Sequence, residues 1–163
     1  MKDFEAARVT YEYTQTNDAP PDRVFPLLCP VREAEWVPDW KYQLIYSQSG
    51  FAEEGCVFTT PNDVGPDTIW MVTHYDPKAF TVHYAWVQPG TIAAQLRISL
   101  TPAPGGKTSA HIRYQYTGLS GAGNSVLARY TPEGFKKKMQ GWEAAINHYL
   151  RAGTFPPKDA NEG

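Results

Sequence analysis

The segment from 131 to 153, TPEGFKKKMQGWEAAINHYLRAG, constrains the architecture more than any other stretch of this chain. Thr131 is a good N-cap, Pro132 suits the first helical position because its missing N–H would be unpaired there anyway, and Gly153 can adopt the left-handed conformation that ends a helix. Between these ends Phe135, Met139, Trp142, Ile146 and Tyr149 recur at spacings of four and three, with Leu150 beside the last. Lys136, Lys137, Gln140, Glu143, Asn147 and Arg151 take the remaining surface. At ~1.5 Å per residue the helix is roughly 30 Å long, and its single apolar stripe must be covered by a sheet or a cavity wall. Gly141 and Ala145, four apart beside the stripe, mark a small-residue notch where sheet or ligand should approach closely.

The rest of the chain reads as that sheet. Arg8 to Thr16 alternates Val9, Tyr11 and Tyr13 against Thr10, Glu12 and Thr14, the period of a half-buried strand. Pro20–Pro21 then opens a short helix with Val24, Phe25, Leu27 and Leu28 on its apolar side. CPVREAEWVPDW, bracketed by Pro30 and Pro38, holds little more than two further helical turns. From Lys41 onward six strand-like segments follow, KYQLIYSQ, CVFTT, DTIWMVTHY, AFTVHYAWV, TIAAQLRISL and TSAHIRYQYTGL, joined by short Gly- and Pro-rich turns. An antiparallel meander is the economical topology.

A turn at Gln88–Gly90 puts Val82, Tyr84 and Trp86 on one face with Ile92, Ala94 and Leu96, and the next hairpin adds Ala110, Ile112, Tyr114 and Tyr116. That face should meet the helix. His83, Arg97, Ser99, His111, Arg113 and Gln115 fall on the other face, which suits solvent and argues against an interaction module, since that would need an exposed apolar patch there. For residues 67–75 the inward set is either Trp70, Val72 and His74 or Ile69, Met71 and Tyr75, because a one-residue change of turn exchanges them.

With 163 residues, 42% of them hydrophobic, one domain over 1–154 with a polar tail at 155–163 is expected. A net charge of −2 and scattered basic residues carry no nucleic-acid signature, and Lys136 to Lys138 reads as a solvated helix face. No run approaches the roughly 20 apolar residues of a membrane span. Cys29 and Cys56 lack CxxC spacing and a preceding secretory signal, so the expectation is a cytoplasmic protein whose thiols are small buried hydrophobes.

The order strand, two short helices, six antiparallel strands and long C-terminal helix resembles the START-like superfamily, also called SRPBCC or Bet v 1-like and including polyketide cyclases. DAPPDRVF, CPVREAEWVPDW, CVFTT, IWMVTHYDP, YTGLS and GWEAAINHYLRAG look like an uncharacterised bacterial branch of it. The resemblance implies an α+β helix-grip fold, a seven-stranded curved antiparallel sheet wrapped around the C-terminal helix, with a cavity between them closed by the small helices. It also implies functions ranging from lipid and sterol carriers to cyclases, hydrolases and chaperone activators.

Within that cavity the expected ligand-binding side chains are Arg32, Glu35, Trp36, Trp40, Trp70, His74, Tyr84, Trp86, Tyr114, Tyr116, Phe135, Met139 and Trp142, mostly aromatic with polar tips. Arg32 and Trp36 lie one turn apart in the proline-clamped segment, either as a lid over the cavity mouth or as scaffold, with the tryptophans in the core and the charges paired at the surface. The histidines do not form a metal-binding set, and no cofactor motif is present: Ser120 lacks a nucleophile elbow, and GLSGAGN is a flexible lead into the last helix rather than a phosphate loop. The leading expectation is binding of a hydrophobic or aromatic small molecule, without a cofactor, nucleic acid or membrane insertion, by a monomer or homodimer. The alternative is a cyclase-, aromatase- or hydrolase-like enzyme in which Glu33 or Glu35 accepts a proton, Arg32 stabilises an oxyanion and Tyr114 or Tyr116 donates.

Overall fold

In chain order the computed structural model, which describes residues 3–154, runs β1 (Arg8–Asn17), α1 (Pro21–Val24), a 3-10 turn (Phe25–Leu27), α2 (Pro30–Glu33), β2 (Gln43–Tyr46), β3 (Val57–Thr60), β4 (Thr68–Asp76), β5 (Thr81–Gln88), β6 (Ile92–Ala103), β7 (Lys107–Gly118), α3 (Gly121–Leu127) and α4 (Pro132–Ala152). The expected tail from 155 lies outside the described residues. The sheet has the order β1-β7-β6-β5-β4-β3-β2, antiparallel throughout, with β1 closing on the last strand of the meander. None of the described helices is long and apolar enough to cross a membrane.

Both ends of α4 form as their residues require. The Thr131 hydroxyl accepts the Gly134 N–H at 3.0 Å, Pro132 occupies the first turn, and Gly153 at φ 72 donates its N–H to the Tyr149 carbonyl. Phe135, Met139, Ala145 and Ile146 are buried against the sheet. Part of the polar side of the helix is bound rather than left to solvent. Glu143 accepts the Thr16 N–H at 2.6 Å and the Tyr13 hydroxyl at 3.3 Å, Asn147 accepts the Asp18 N–H at 2.9 Å, and Arg151 reaches Asp18 at 3.2 Å, stitching the helix to the end of β1.

The Gln88–Thr91 turn closes as expected, and the pairings Trp86 with Ala94 and Tyr84 with Leu96 put the anticipated residues inward. Tyr84, Trp86, Ile112, Tyr114 and Tyr116 are all buried. On β4 neither expected alternation holds over the whole strand. Trp70 and Val72 face inward opposite Trp86 and Tyr84, the register then shifts between Val72 and His74, and Tyr75 turns inward against Phe25, ring centroids 5.4 Å apart. A bulge adds one residue to one strand and so exchanges its faces. It carries His74 outward, where its ring lies 4.7 Å from that of His83.

The outer face is polar over β5–β7, but its β2–β4 end exposes Ile45, Ile69 and Met71. The glycine segment after β7 is a correction. Gly121–Leu127 is a helix capped by Ser120, and a Cβ on Gly123 would lie 1.8 Å from the Thr91 carbonyl oxygen, so close packing rather than flexibility accounts for that glycine. Asn124 then accepts the Ala7 N–H at 2.9 Å and donates to the Glu5 carbonyl at 3.0 Å, fastening the chain ahead of β1. At Gly141 the notch is absent, because a Cβ there would meet nothing within 4 Å.

Candidate functional site

A cavity of about 190 Å³ lies between the sheet, the small helices and the middle of α4. Its walls are Leu28 and Glu33 from the small helices, Trp40, Phe58 and Trp70 from one end of the sheet, Tyr84, Leu96, Ile98 and Tyr114 from its centre, and Lys138 and Trp142 from the helix. Aromatic contacts fix these walls: Phe58 stacks on Trp70 with centroids 5.4 Å apart, and Tyr84 meets both edge-on at 6.4 and 6.0 Å. Most polar tips are already occupied. The Trp40 and Trp70 indoles donate to the Pro30 carbonyl and the Thr60 hydroxyl at 2.8 and 3.1 Å, while the Tyr84 hydroxyl donates to the Leu28 carbonyl.

Among the described residues three groups lack such partners. Glu33 has no ion pair or side-chain hydrogen bond there, and burial among apolar and aromatic walls raises its carboxyl from the ordinary 4.5 to about 8. Lys138, though exposed as a whole residue, holds its ammonium 5.0 Å above the Tyr114 ring centroid, and burial lowers its pKa. The Tyr114 hydroxyl is pushed well above its ordinary value by burial and by the neighbouring Tyr116 and Glu33. The solvated reading of Lys136 to Lys138 is therefore corrected at its last member: positions 135, 138 and 142 share a helix face, which brings Lys138 in with Phe135 and Trp142.

The expected site residues divide accordingly. Glu33, Trp40, Trp70, Tyr84, Tyr114 and Trp142 converge on the cavity. Arg32 and Glu35 do not, because they pair with each other at the surface and Glu35 also accepts the Tyr149 hydroxyl at 2.9 Å, clamping α2 to the end of α4. Only four residues of the segment are helical, so Glu33 points inward while its neighbours on either side point out. Trp36 is fully buried, donates to the Leu27 carbonyl at 2.8 Å and meets the edge of Trp142 at 5.9 Å, which makes it core packing rather than cavity wall. Met139 is likewise packed in the core. His74 lies outside on account of the bulge, donating to or accepting from the Thr81 hydroxyl at 3.0 Å. Trp86 packs between Trp70 and Tyr116, with its indole N–H buried and unpartnered.

Tyr116 and Phe135 face a second space. It is half-open, has a volume of about 300 Å³, lies at the start of α4, and is bordered by Tyr11, Arg129, Tyr130, Thr131, Gly134 and Lys138 as well. Neither Arg129 nor Lys138 was singled out in the sequence, although position 138 follows Phe135 by three and precedes Trp142 by four.

No family model matches this sequence, and no curated protein matches it. Solved structures do. Over 90% of this chain and 99% of the other, Ara h 8.0201 is similar at a TM-score of 0.64 and 17% identity. The chain shares the helix-grip fold of these solved structures. Norcoclaurine synthase from Thalictrum flavum, in complex with dopamine and hydroxybenzaldehyde, is similar to this helix-grip protein at a TM-score of 0.63 and 10% identity, covering 90% and 88%. An aromatase/cyclase from a Streptomyces species is similar at 0.59 and 14%, covering 90% and 98%.

Proposed function

We propose that this helix-grip protein binds a compact hydrophobic or aromatic molecule carrying a carbonyl or hydroxyl group in the cavity between α4 and the sheet. The observation that carries this reading is the unpartnered Glu33 carboxyl facing an aromatic-walled space. A half-buried carboxyl facing an apolar space without a hydrogen bond costs free energy that a ligand's polar group would offset. About 190 Å³ is below the usual 300–1,000 Å³ of ligand pockets, which favours a small planar molecule over a long lipid. The fold relationship to a protein solved with two small aromatic molecules supports the same size class.

Titration with 2-naphthol, followed by NMR of the tryptophan indole N–H groups, tests the proposal. Trp40, Trp70 and Trp142 should shift while Trp36, sealed in the core, stays still. Absence of binding at millimolar 2-naphthol, or equal movement of all five indoles, would overturn it.

A second reading, acid–base catalysis on an enolisable ketone, is favoured by the Glu33 pKa of about 8, which lets that carboxyl hold or release a proton near neutrality. Glu33 would take the α-proton, and the Lys138 ammonium or the Tyr114 hydroxyl would donate to the developing enolate oxygen. The Arg32 and Glu35 roles are withdrawn, since both lie outside the cavity. Protein-dependent deuterium incorporation into 2-tetralone, abolished in Glu33→Gln, is the expected result. Exchange no faster than in buffer would refute catalysis and leave the binding reading standing.

A further inference from the structure

The geometry points to a second binding site, the half-open pocket at the start of α4, as a receptor for the carboxylate or equivalent oxyanion of an aromatic molecule. Its walls are aromatic: Tyr11 stacks on Phe135 with centroids 5.3 Å apart, and Tyr116 meets Tyr130 edge-on at 5.1 Å. Its charge is of one sign. Arg129 and Lys138 border it and, among the described residues, neither has an ion pair and no acidic side chain is among its walls. Glu133, on the first turn of α4, is exposed and does not line the pocket.

Partnering separates this pocket from an incidental groove. The Tyr11 hydroxyl is satisfied by the Tyr130 carbonyl at 3.2 Å and the Thr131 hydroxyl by the Gly134 N–H. Tyr116, only 3% exposed, has no hydrogen bond for its hydroxyl among the described residues, which leaves that group to the pocket. One hydroxyl donor, a guanidinium and an ammonium with no counter-ion are the groups that bind an oxyanion, while the four rings supply faces and edges for a flat apolar body. At about 300 Å³ the space exceeds the inner cavity and lies at the low end of ordinary ligand sites.

Lys138 borders both spaces, and the parallel Tyr114–Tyr116 stack, centroids 5.3 Å apart, spans from one to the other. The outer site stands independently of any ligand in the inner cavity.

The test uses 2-naphthoate and its uncharged isostere 2-naphthamide, with the full chain and amide NMR at Gly134 and Thr131 as reporters of the outer pocket. Naphthoate should shift those amides and bind about tenfold more tightly than naphthamide, consistent with a charge-assisted hydrogen bond. Arg129→Gln and Lys138→Met should each weaken naphthoate about fivefold to tenfold and naphthamide by less. Because Arg129 is exposed, a melting temperature equal to wild type confirms that its variant is folded. Equal affinities for the two probes, no effect of Arg129→Gln, or naphthoate shifts confined to the Trp40 and Trp70 indoles would overturn the proposal. Since 2-naphthol reports on the inner cavity through the indoles, either site can fail while the other holds.

Discussion

Replacing Glu33 by glutamine removes a titration that the fold makes costly. Burial raises this carboxyl from 4.5 to about 8, so the native state binds a proton more tightly than the unfolded chain does. Below pH 4.5 both states are protonated and the group is neutral in the balance; between 4.5 and about 8 the unfolded chain ionises while the native carboxyl stays protonated, so stability falls as pH rises and levels off above 8, where both states are ionised. At about 1.36 kcal/mol per pH unit, the cost is roughly 1 kcal/mol at pH 5, 3 at pH 7 and 5 at pH 9. Those figures are upper bounds, since water entering a cavity of about 190 Å³ would solvate the carboxylate. Glutamine has nearly the same shape and does not ionise, so urea midpoints of wild type and Glu33→Gln should diverge in favour of the variant from pH 5 to pH 9. Lys138 and the tyrosines titrate in both proteins and cancel to first order. A stability difference that stays constant within about 0.5 kcal/mol across that range would show that Glu33 ionises as an ordinary solvated carboxyl, and would remove the basis for its acid–base role.

Three further substitutions probe the scaffold. Gly141→Ala, in an exposed helix interior with open space around the new Cβ, should stabilise by about 0.5–1 kcal/mol, and a lowered melting temperature would restore the notch. Gly123→Ala should destabilise by at least about 1–3 kcal/mol, because its Cβ would fall 1.8 Å from the Thr91 carbonyl oxygen; an unchanged denaturant midpoint would mean α3 is not seated there. Arg32→Ala breaks a surface pair, so it should cost less than about 1 kcal/mol and leave 2-naphthol affinity unchanged, whereas a tenfold affinity loss by calorimetry would return that segment to the role of a lid.

What the sequence determined alone is the set of features carried by local chemistry and by period. The caps of α4, its apolar stripe, the seven strands and the inward rows through Tyr84 and Tyr114 depend on residues a few positions apart or on two-residue alternation across short turns. Such alternation cannot locate an inserted residue, and so the fates of Trp70, His74 and Tyr75 waited on the bulge at Val72. The CPVREAEWVPDW segment presented Arg32, Glu33 and Glu35 as equals. Tertiary packing separated them, because a helix of only four residues, tied to α4 through Glu35 and Tyr149, turns one carboxyl into an apolar space and leaves the other two charges to pair at the surface. Lys138 shows the same limit from the opposite side. Its period placed it beside Phe135 and Trp142, its charge placed it in water, and only the ring of Tyr114 beneath it, supplied by a strand more than twenty residues earlier, decided between them.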